Sequence, residues 1–378
     1  MEKIYQLFKP VYHKEEIFKE ITECFDKGWT GLGFKTIEFE NKWNEYTGHK
    51  HSHFLNSATS GLHLAVKILK EKYGWKEGDE IISTPITFVS TNEAILYEKL
   101  NVIFADILPD GTLDPKNVEK KITNKTRAIM FVGLAGNIGK LDEIITIAEK
   151  NNIKVILDAA HMSGSRYNEK HILTKSCLEC IVYSFQAVKN LPTADSGMIC
   201  FEDEKDDILV RQLSWMGIDK DTYTRSNSNG AYKWHYDVPN LGYKYHGNSI
   251  MACIGLVELK YLDISNSYRR TLSSWYRNLL EPKGIECVTH VNQNETSQHI
   301  FQVKVNNRDK IMLSLNNCGI YPGVHYKTNA AYKIFNQSIE DTPKATRFSD
   351  SVLALPIHLN MTKKDVEFIS EKLIQSNI

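Results

Sequence analysis

The chain has 378 residues and a mass of 43.3 kDa, with 46 basic and 46 acidic side chains. A formal charge of zero argues against a protein that binds nucleic acid or a membrane surface through bulk positive charge. Apolar residues at 42% and charged residues at 24% are typical of a globular protein with a sizeable core, and the length allows two or more domains.

The cysteines and the hydropathy predict a cytoplasmic protein. Seven cysteines at irregular spacing indicate reduced thiols rather than a disulfide framework. The first residues do not lead into the apolar core of a signal peptide, and no apolar run reaches the length of a transmembrane span. Cys177 and Cys180 form a CxxC pair, but no second pair or histidine-rich segment accompanies it, so we expect no metal site.

Up to about residue 205 the apolar pattern alternates between the helical and the strand period. Helices are predicted at Lys14–Lys27, Ser60–Tyr73, Ser90–Leu100, Pro115–Ile122 and Leu141–Asn151. Strands are predicted at Ile81–Thr84, Val102–Ile107, Ala128–Val132, Val155–Asp158, Ile181–Phe185 and Met198–Phe201. This alternation predicts an α/β fold in which a mostly parallel sheet is flanked by helices on both faces.

After about Tyr245 the pattern changes. The segment Asn248–Leu280 predicts one long helix or a broken pair of helices. Further strands are predicted at Ile300–Val305 and Val352–Pro356, and further helices at Arg308–Asn317 and Thr362–Gln375. We therefore predict a large domain over residues 1–247 and a smaller C-terminal α+β domain over residues 248–378.

Three segments could form a phosphate-binding loop. The glycines of Gly28–Gly33 follow a helix rather than a strand, which disfavours a dinucleotide site. Gly136–Lys140 lacks the spacing and the Ser/Thr of a nucleotide-binding P-loop. Asn56–Gly61 joins an apolar run to a helical pattern, so that backbone N–H groups, hydroxyls and the helix dipole can converge on an anion. An ordinary Ser/Thr helix cap produces the same pattern.

Two charged residues follow predicted strands. Asp158 ends Val155–Asp158, and ligands of open parallel sheets bind at the carboxyl ends of the strands. A buried carboxylate there needs a cation or hydrogen bonds, although a helix-capping aspartate also fits the pattern. Lys189 follows Ile181–Phe185, and a lysine in a partly desolvated cleft has a lowered pKa and can form a Schiff base. Most lysines, however, are solvated surface charges.

The motifs occur in the order phosphate turn, aromatic residue after a strand, Asp158-Ala159-Ala160-His161, and Ser184 followed five residues later by Lys189. This order and spacing resembles the DegT/StrS family of nucleotide-sugar aminotransferases, which are pyridoxal 5'-phosphate (PLP) enzymes of fold type I. The resemblance covers nearly the whole chain, from Trp29-Thr30-Gly31-Leu32-Gly33 to Leu355-Pro356-Ile357-His358.

The resemblance implies roles for the residues around the phosphate and the ring of PLP. Ser57, Ala58 and Thr59 match the turn that grips the cofactor phosphate, and Ser184 matches a further phosphate contact. Phe88 matches the aromatic residue that stacks on the pyridine face.

The same resemblance implies three catalytic residues, which also contact the cofactor. Asp158 matches the carboxylate that faces the ring nitrogen and keeps it protonated, so that the ring can accept electrons. His161 matches a position near the phenolic oxygen. Lys189 matches the lysine that binds PLP covalently and, once released, moves a proton between substrate and cofactor.

The segment Tyr243–Asn248 resembles the part of the family that reaches into a neighbouring subunit's active site, which implies a homodimer with shared sites. Lys244, His246 and Asn248 are its candidate phosphate contacts, and the sequence does not choose between them. Two segments depart from the family pattern. Pro192–Gly197 stands where relatives have Thr-Gly-Glu-Gly-Gly, and Lys327-Thr328-Asn329 replaces Pro-Leu-His; these departures bear on the identity of the substrate more than on the reaction class.

The function implied is PLP-dependent transfer of an amino group, with L-glutamate as donor, to a nucleotide-linked keto-deoxysugar, with the cofactor cycling through pyridoxamine 5'-phosphate. A PLP-dependent sugar dehydratase would carry His at the lysine position, and a cysteine desulfurase would carry His at the position of Val188. A nucleotide-sugar-binding protein that keeps the fold without the chemistry is the alternative from another class.

Overall fold

A seven-stranded sheet forms the centre of the large unit in the computed structural model, which describes residues 3–174, 176–220, 223, 235–291 and 293–377. In chain order its strands are β1 (His51–Leu55), β2 (Glu80–Ser83), β3 (Asn101–Phe104), β4 (Thr126–Val132), β5 (Lys154–Asp158), β6 (Leu178–Ser184) and β7 (Gly197–Phe201). Their spatial order is β1-β7-β6-β5-β4-β2-β3. Strand β7 runs antiparallel to both β1 and β6, and the other pairs are parallel. The predicted mostly parallel sheet is confirmed.

The strands are buried on both faces, which explains their continuous apolar sequence. In β4, Ile129 and Phe131 face one core while Ala128 and Met130 face the other, as the two-residue period of a strand requires. The helices up to Ser214 are α1 (Lys14–Asp26), α2 (Phe34–Thr47), α3 (Ala58–Tyr73), α4 (Val89–Tyr97), α5 (Pro115–Lys121), α6 (Leu141–Lys150) and α7 (Glu204–Ser214). Helices α2, α5 and α6 cover one face of the sheet, and α3, α4 and α7 cover the other.

The predicted long helix after Asn248 is a broken pair. Two residues separate helix α8 (Ser249–Leu259) from α9 (Leu262–Leu280). Ala252 and Leu256 of α8 lie in the core of the large unit. We propose the division of the chain at 247/248, with α8 as a connecting helix that remains packed on the large unit.

A second core lies on a three-stranded antiparallel sheet in the C-terminal part of the chain. Its strands are β8 (Glu286–Cys287), β9 (Phe301–Lys304) and β10 (Val352–Leu355), with β9 in the centre. The helices after α9 are α10 (Arg308–Asn317), α11 (Pro343–Ser351) and α12 (Lys363–Ser376). The core joins side chains of α9, α10 and α12 to the sheet, and it includes Tyr5 from the other end of the chain.

Two pairs of short strands complete the sheets. Tyr5–Gln6 pairs with Ile320–Tyr321 in parallel, which holds the N-terminal segment on the C-terminal unit. Arg166–Tyr167 and Lys170–His171 form a small hairpin. None of the described helices combines the length and apolar character that a membrane crossing requires.

The architecture brings several strand ends to one edge of the large sheet. Strand β1 ends just before the turn at Ser57, β5 ends at Asp158 and β6 ends at Ser184. Strand β2 leads through a short loop to Phe88 at the start of α4. The carboxyl edge of a parallel sheet is where ligands of such folds bind.

Candidate active site

A cavity of about 450 Å³ opens at this carboxyl edge. Eight of the residues predicted from the sequence line it together, namely Ser57, Ala58, Thr59, Phe88, Asp158, His161, Ser184 and Lys189. The cavity is closed from the side of the C-terminal unit by His299, His325 and Tyr326, and by Phe8 of the N-terminal segment. The site therefore combines residues from both units.

The turn after β1 has the geometry of an anion cradle. Ser57 caps α3, with its Oγ accepting a hydrogen bond from the Ser60 N–H at 3.1 Å, so the helix-cap interpretation holds as well. Ala58 and Thr59 form the first turn of this 16-residue helix, whose N–H groups and dipole favour a negative charge. Gly197 fits this turn closely, since a Cβ there would lie 2.6 Å from the Ala58 nitrogen.

Asp158 is a buried carboxylate held by two hydrogen bonds. Its Oδ2 accepts a bond of 2.7 Å from the Thr91 hydroxyl, and its Oδ1 accepts one of 3.0 Å from the Ala160 N–H. Burial raises the pKa of Asp158, while these two bonds and the nearby Lys189 amine act in the opposite direction. No ion pair within 4 Å neutralises it in the described part of the chain, so a cationic ligand group would be stabilised here.

Lys189 carries a buried amine on the loop after β6. Burial lowers its pKa to about 8, against a smaller opposing effect of Asp158. Among the described residues its Nζ has no hydrogen-bond partner. A substantial fraction of the amine is therefore neutral near pH 8, which is the form that attacks a carbonyl carbon.

His161 is held in one tautomer by the backbone. The Ala135 N–H donates to its Nδ1 at 3.1 Å, so in the neutral ring the proton is assigned to Nε2. That Nε2 lies 3.1 Å from the Tyr326 hydroxyl oxygen, to which it donates. The pKa of His161 is far below its usual range because of burial and the nearby Lys189. The Tyr326 proton is consequently left to donate into the cavity.

Phe88 stands at the mouth of the cavity with 59% of its surface exposed. Its loop is fixed by Asn329, which donates to the Thr87 carbonyl at 2.8 Å and accepts from Asn92 at 3.1 Å. Asn329 belongs to the segment in which the chain departs from the family pattern. Asn329 thus holds the loop that carries the Phe88 ring.

Several site residues were not found by sequence reasoning. Thr91, whose hydroxyl holds Asp158, lies in the first turn of α4, and its hydroxyl oxygen is 2.8 Å from that of Thr87, which precedes the helix. The i and i+4 spacing of the two threonines does not by itself mark either of them as a site residue. Phe8 and His299 come from distant parts of the chain, and nothing in their local sequence marks them.

The structure does not bring Lys244, His246 and Asn248 into the cavity of their own chain. Lys244 lies over the Trp215 ring, with its Nζ 3.5 Å from the centroid, and Asn248 caps α8 by accepting from the Met251 N–H. The segment nevertheless runs beside the anion cradle, because the Asn56 N–H donates to the Tyr245 carbonyl at 2.7 Å. Any contact with a neighbouring subunit's cofactor stays a prediction.

The residues present fit PLP. A buried carboxylate with no ion-pair partner among the described residues faces the same cavity as a buried amine, and an anion cradle lies beside them. Asp158 would hold the ring nitrogen, Lys189 would bind the aldehyde carbon, and Ser57, Ala58, Thr59 and Ser184 would hold the phosphate. The exposed ring of Phe88 is available for stacking.

Removing the hydrogen bond from Thr91 to Asp158 should destabilise the protein. Thr91→Val leaves a buried carboxylate with one donor fewer, so we expect a loss of about 1–3 kcal/mol in the free energy of unfolding. The substitution raises the pKa of Asp158 further, so the loss grows as the pH rises through that pKa. Denaturant unfolding at several pH values measures this. Thr146→Val, which removes an exposed hydroxyl bonded to its own helix, is the matched control. A loss equal to that of the control would contradict the role of Thr91.

The lowered pKa of Lys189 should govern how fast PLP attaches to the apoprotein. The neutral amine predominates above about pH 8 rather than above the ordinary 10.5, because burial destabilises the charged form. The rate at which PLP attaches to the apoprotein, followed by absorbance, should rise with pH through about 8 and then level off. A rise that continues towards pH 10.5 would show an ordinary solvated lysine.

Comparison with known proteins agrees with this geometry. Residues 11–374 match the family model described as the DegT/DnrJ/EryC1/StrS aminotransferase family. The chain is 31% identical to the spore coat polysaccharide biosynthesis protein SpsC of Bacillus subtilis, over 96% of this chain and 94% of that protein.

Solved structures show the same fold. A putative sugar aminotransferase, Spr1654 of Streptococcus pneumoniae in its PMP-form, has 27% identity and a TM-score of 0.89, covering 99% of this chain and 98% of that chain. Helicobacter pylori PseC, an aminotransferase involved in the biosynthesis of pseudoaminic acid, matches at 24% identity with a TM-score of 0.89, covering 99% of each chain. The predicted fold class, cofactor and reaction class are confirmed. This chain therefore belongs to the DegT/DnrJ/EryC1/StrS family and is a PLP-dependent sugar aminotransferase.

Proposed function

We propose that the protein transfers an amino group from L-glutamate to a nucleotide-linked keto-deoxysugar, as a cytoplasmic homodimer with shared active sites. The observation that carries this proposal is the placement of the Lys189 amine and the Asp158 carboxylate in one cavity beside an anion cradle. When bound there, PLP supplies an electron sink for the electrons of a C–H bond next to nitrogen.

Lys189 moves the proton in this reaction. Because its pKa is about 8, the protonated and the neutral amine differ little in free energy near neutral pH. The amine can therefore take a proton from a substrate carbon and return it. A histidine at this position, as in the related dehydratases, would not supply this amine. The presence of Lys189 therefore favours transamination over dehydration.

Asp158 provides a carboxylate in a fixed orientation. The Thr91 and Ala160 hydrogen bonds fix its two oxygens, so the carboxylate does not need to reorganise when a cationic ring nitrogen is placed against it. His161 and Tyr326 provide a neutral donor chain in the same cavity, from which a phenolic oxygen or a sugar hydroxyl can accept a hydrogen bond.

The remainder of the cavity suits a sugar. Hydroxyl, imidazole and amide side chains line it in addition to the residues that would hold PLP, and Asp195 lies exposed at its rim. A polar lining of this kind recognises hydroxyl groups through paired donors and acceptors. The relationship to a protein of spore coat polysaccharide biosynthesis supports an amino-sugar product destined for a surface glycan. All seven cysteines are free thiols, which supports the cytoplasmic assignment.

Replacing the lysine tests the reaction. Lys189→Ala should abolish the visible absorption band of the holoenzyme and all amino transfer, because no other amine faces the cavity among the described residues. Lys140→Ala, a surface lysine paired with Glu143, is the control and should keep both. The substrate is identified by converting the wild-type enzyme to its pyridoxamine form with L-glutamate and adding nucleotide-linked keto-sugars. Recovery of the original spectrum marks the acceptor. A Lys189→Ala protein that kept the band and full turnover would contradict the proposal.

The shared site is tested by mixing two inactive proteins. If Lys244 and His246 act in the neighbouring subunit, a heterodimer of Lys189→Ala with the Lys244→Ala/His246→Ala double variant contains one intact site. Coexpression should then restore about a quarter of the wild-type activity, since random pairing makes about half of the dimers mixed. A double variant with wild-type activity, or a mixture without activity, would contradict the trans arrangement.

A further inference from the structure

His299 lies at the centre of a hydrogen-bonded junction between the two units. Its Nδ1 is 2.8 Å from the Oδ1 of Asn190, the residue directly after Lys189. The amide nitrogen of Asn190 donates to Asn266 Oδ1 and to the Ser297 carbonyl, both at 2.6 Å. Because the amide nitrogen of Asn190 is engaged with these two acceptors, the atom that faces His299 is the amide oxygen, which accepts, and the proton of the neutral imidazole is assigned to Nδ1.

This tautomer leaves Nε2 of His299 as a hydrogen-bond acceptor. The Nδ1 edge faces Asn190, one ring face is stacked on Phe8 at a centroid distance of 5.3 Å, and the His161 ring lies 4.5 Å away. The residue lines the cavity, and its Nε2 has no hydrogen-bond partner in the described ranges of the chain. The edge that carries Nε2 is therefore the part of the ring left for a ligand.

The electrostatic surroundings keep the imidazole neutral. Burial lowers the pKa of His299 well below its usual range, and the neighbouring His161, Lys189 and Arg269 act in the same direction. A neutral ring with a free lone pair does not attract a carboxylate or a phosphate, whose oxygens are also acceptors. It does accept a hydrogen bond from a hydroxyl group, which can donate.

We propose that His299 is a substrate-contacting residue of this active site, accepting a hydrogen bond at Nε2 from a hydroxyl of the sugar, and that Asn190 is the positioning residue that fixes its tautomer. The inference rests on the proposed function, since it names a contact for the sugar acceptor. It also explains why the residue after the lysine is buried and fully hydrogen-bonded: the loop that carries Lys189 and the sugar-binding imidazole are fixed by the same amide.

Two substitutions of His299 test the roles of its two nitrogen atoms separately. In His299→Asn the amide nitrogen can replace Nδ1 and still donate to Asn190, but nothing replaces Nε2. In His299→Gln the amide oxygen reaches the position of Nε2 and keeps an acceptor. An enzyme that binds a substrate hydroxyl loses much of its reactivity towards that substrate when the hydroxyl is left without a hydrogen-bond partner.

The kinetic test compares the two half-reactions in the holoenzymes of wild type and both variants. The probes are L-glutamate for the first and the 4-keto-6-deoxyglucose derivatives of UDP and dTDP for the second. His299→Asn should lower the rate of the sugar half-reaction about tenfold more than that of the glutamate half-reaction. His299→Gln should recover most of that difference in rate. Equal losses in both half-reactions, or identical behaviour of the two variants, would overturn the inference.

A measurement independent of turnover reads the tautomer directly. In two-bond ¹H–¹⁵N spectra of histidine-labelled wild-type holoenzyme, the His299 signals, assigned by their loss in His299→Gln, should show a protonated Nδ1 and an unprotonated Nε2. A protonated Nε2 would refute the proposal. If neither keto-sugar reacts with the wild-type enzyme, the proposed function fails for those acceptors, whereas the spectra still decide the state of His299.

Discussion

The site depends on a buried carboxylate, Asp158, and a buried amine, Lys189, that face one cavity but do not form an ion pair with each other. Taking a carboxylate or an ammonium group out of water is costly, and direct pairing would be the usual compensation. Here Asp158 is instead held by Thr91 and the Ala160 N–H, and Lys189 responds with a lowered pKa. The space between the two groups is what a cationic heterocycle with a reactive carbonyl can fill, so the cost of their burial is offset when the cofactor binds.

The fold supplies this arrangement through the ends of its strands. Asp158 ends β5 and Ser184 ends β6, so both lie at the same edge of the sheet as the turn that starts α3. The C-terminal unit then closes the cavity with His299, His325 and Tyr326. Through Asn190, the loop of Lys189 is bonded to Asn266 of α9, so the lysine is positioned by both units rather than by the sheet alone.

The sequence predicted the parts of the site that follow directly from chain order. Asp158, Ser184 and Lys189 stand at or just after apolar runs, and a strand end is a position that a one-dimensional pattern can locate. Thr91 and His299 could not be placed in this way, because their roles arise from contacts 67 and 109 residues away along the chain. Such contacts depend on how the units pack.

The helices that were not predicted have a similar explanation. Helix α2 buries Lys35 and Glu40 as well as Phe39 and Trp43, so its buried face does not read as apolar. Glu40 is satisfied by His53 at 3.0 Å and by Arg211 of α7 at 2.9 Å, partners that only the tertiary structure reveals. Helix α7 is likewise rich in charged residues, three of them acidic in its first turn. When paired charges are buried, the buried face of a helix no longer shows the apolar period from which a helix is predicted.

Locating the cofactor on the chain tests the role of Lys189 directly. Reduction of the holoenzyme with borohydride makes the link between PLP and its lysine permanent, and peptide mass spectrometry then identifies the modified residue. We expect the phosphopyridoxyl mass on the peptide that contains Lys189 and on no other. The same mass on a different lysine, or no modified peptide from a protein that retains the visible band, would contradict it.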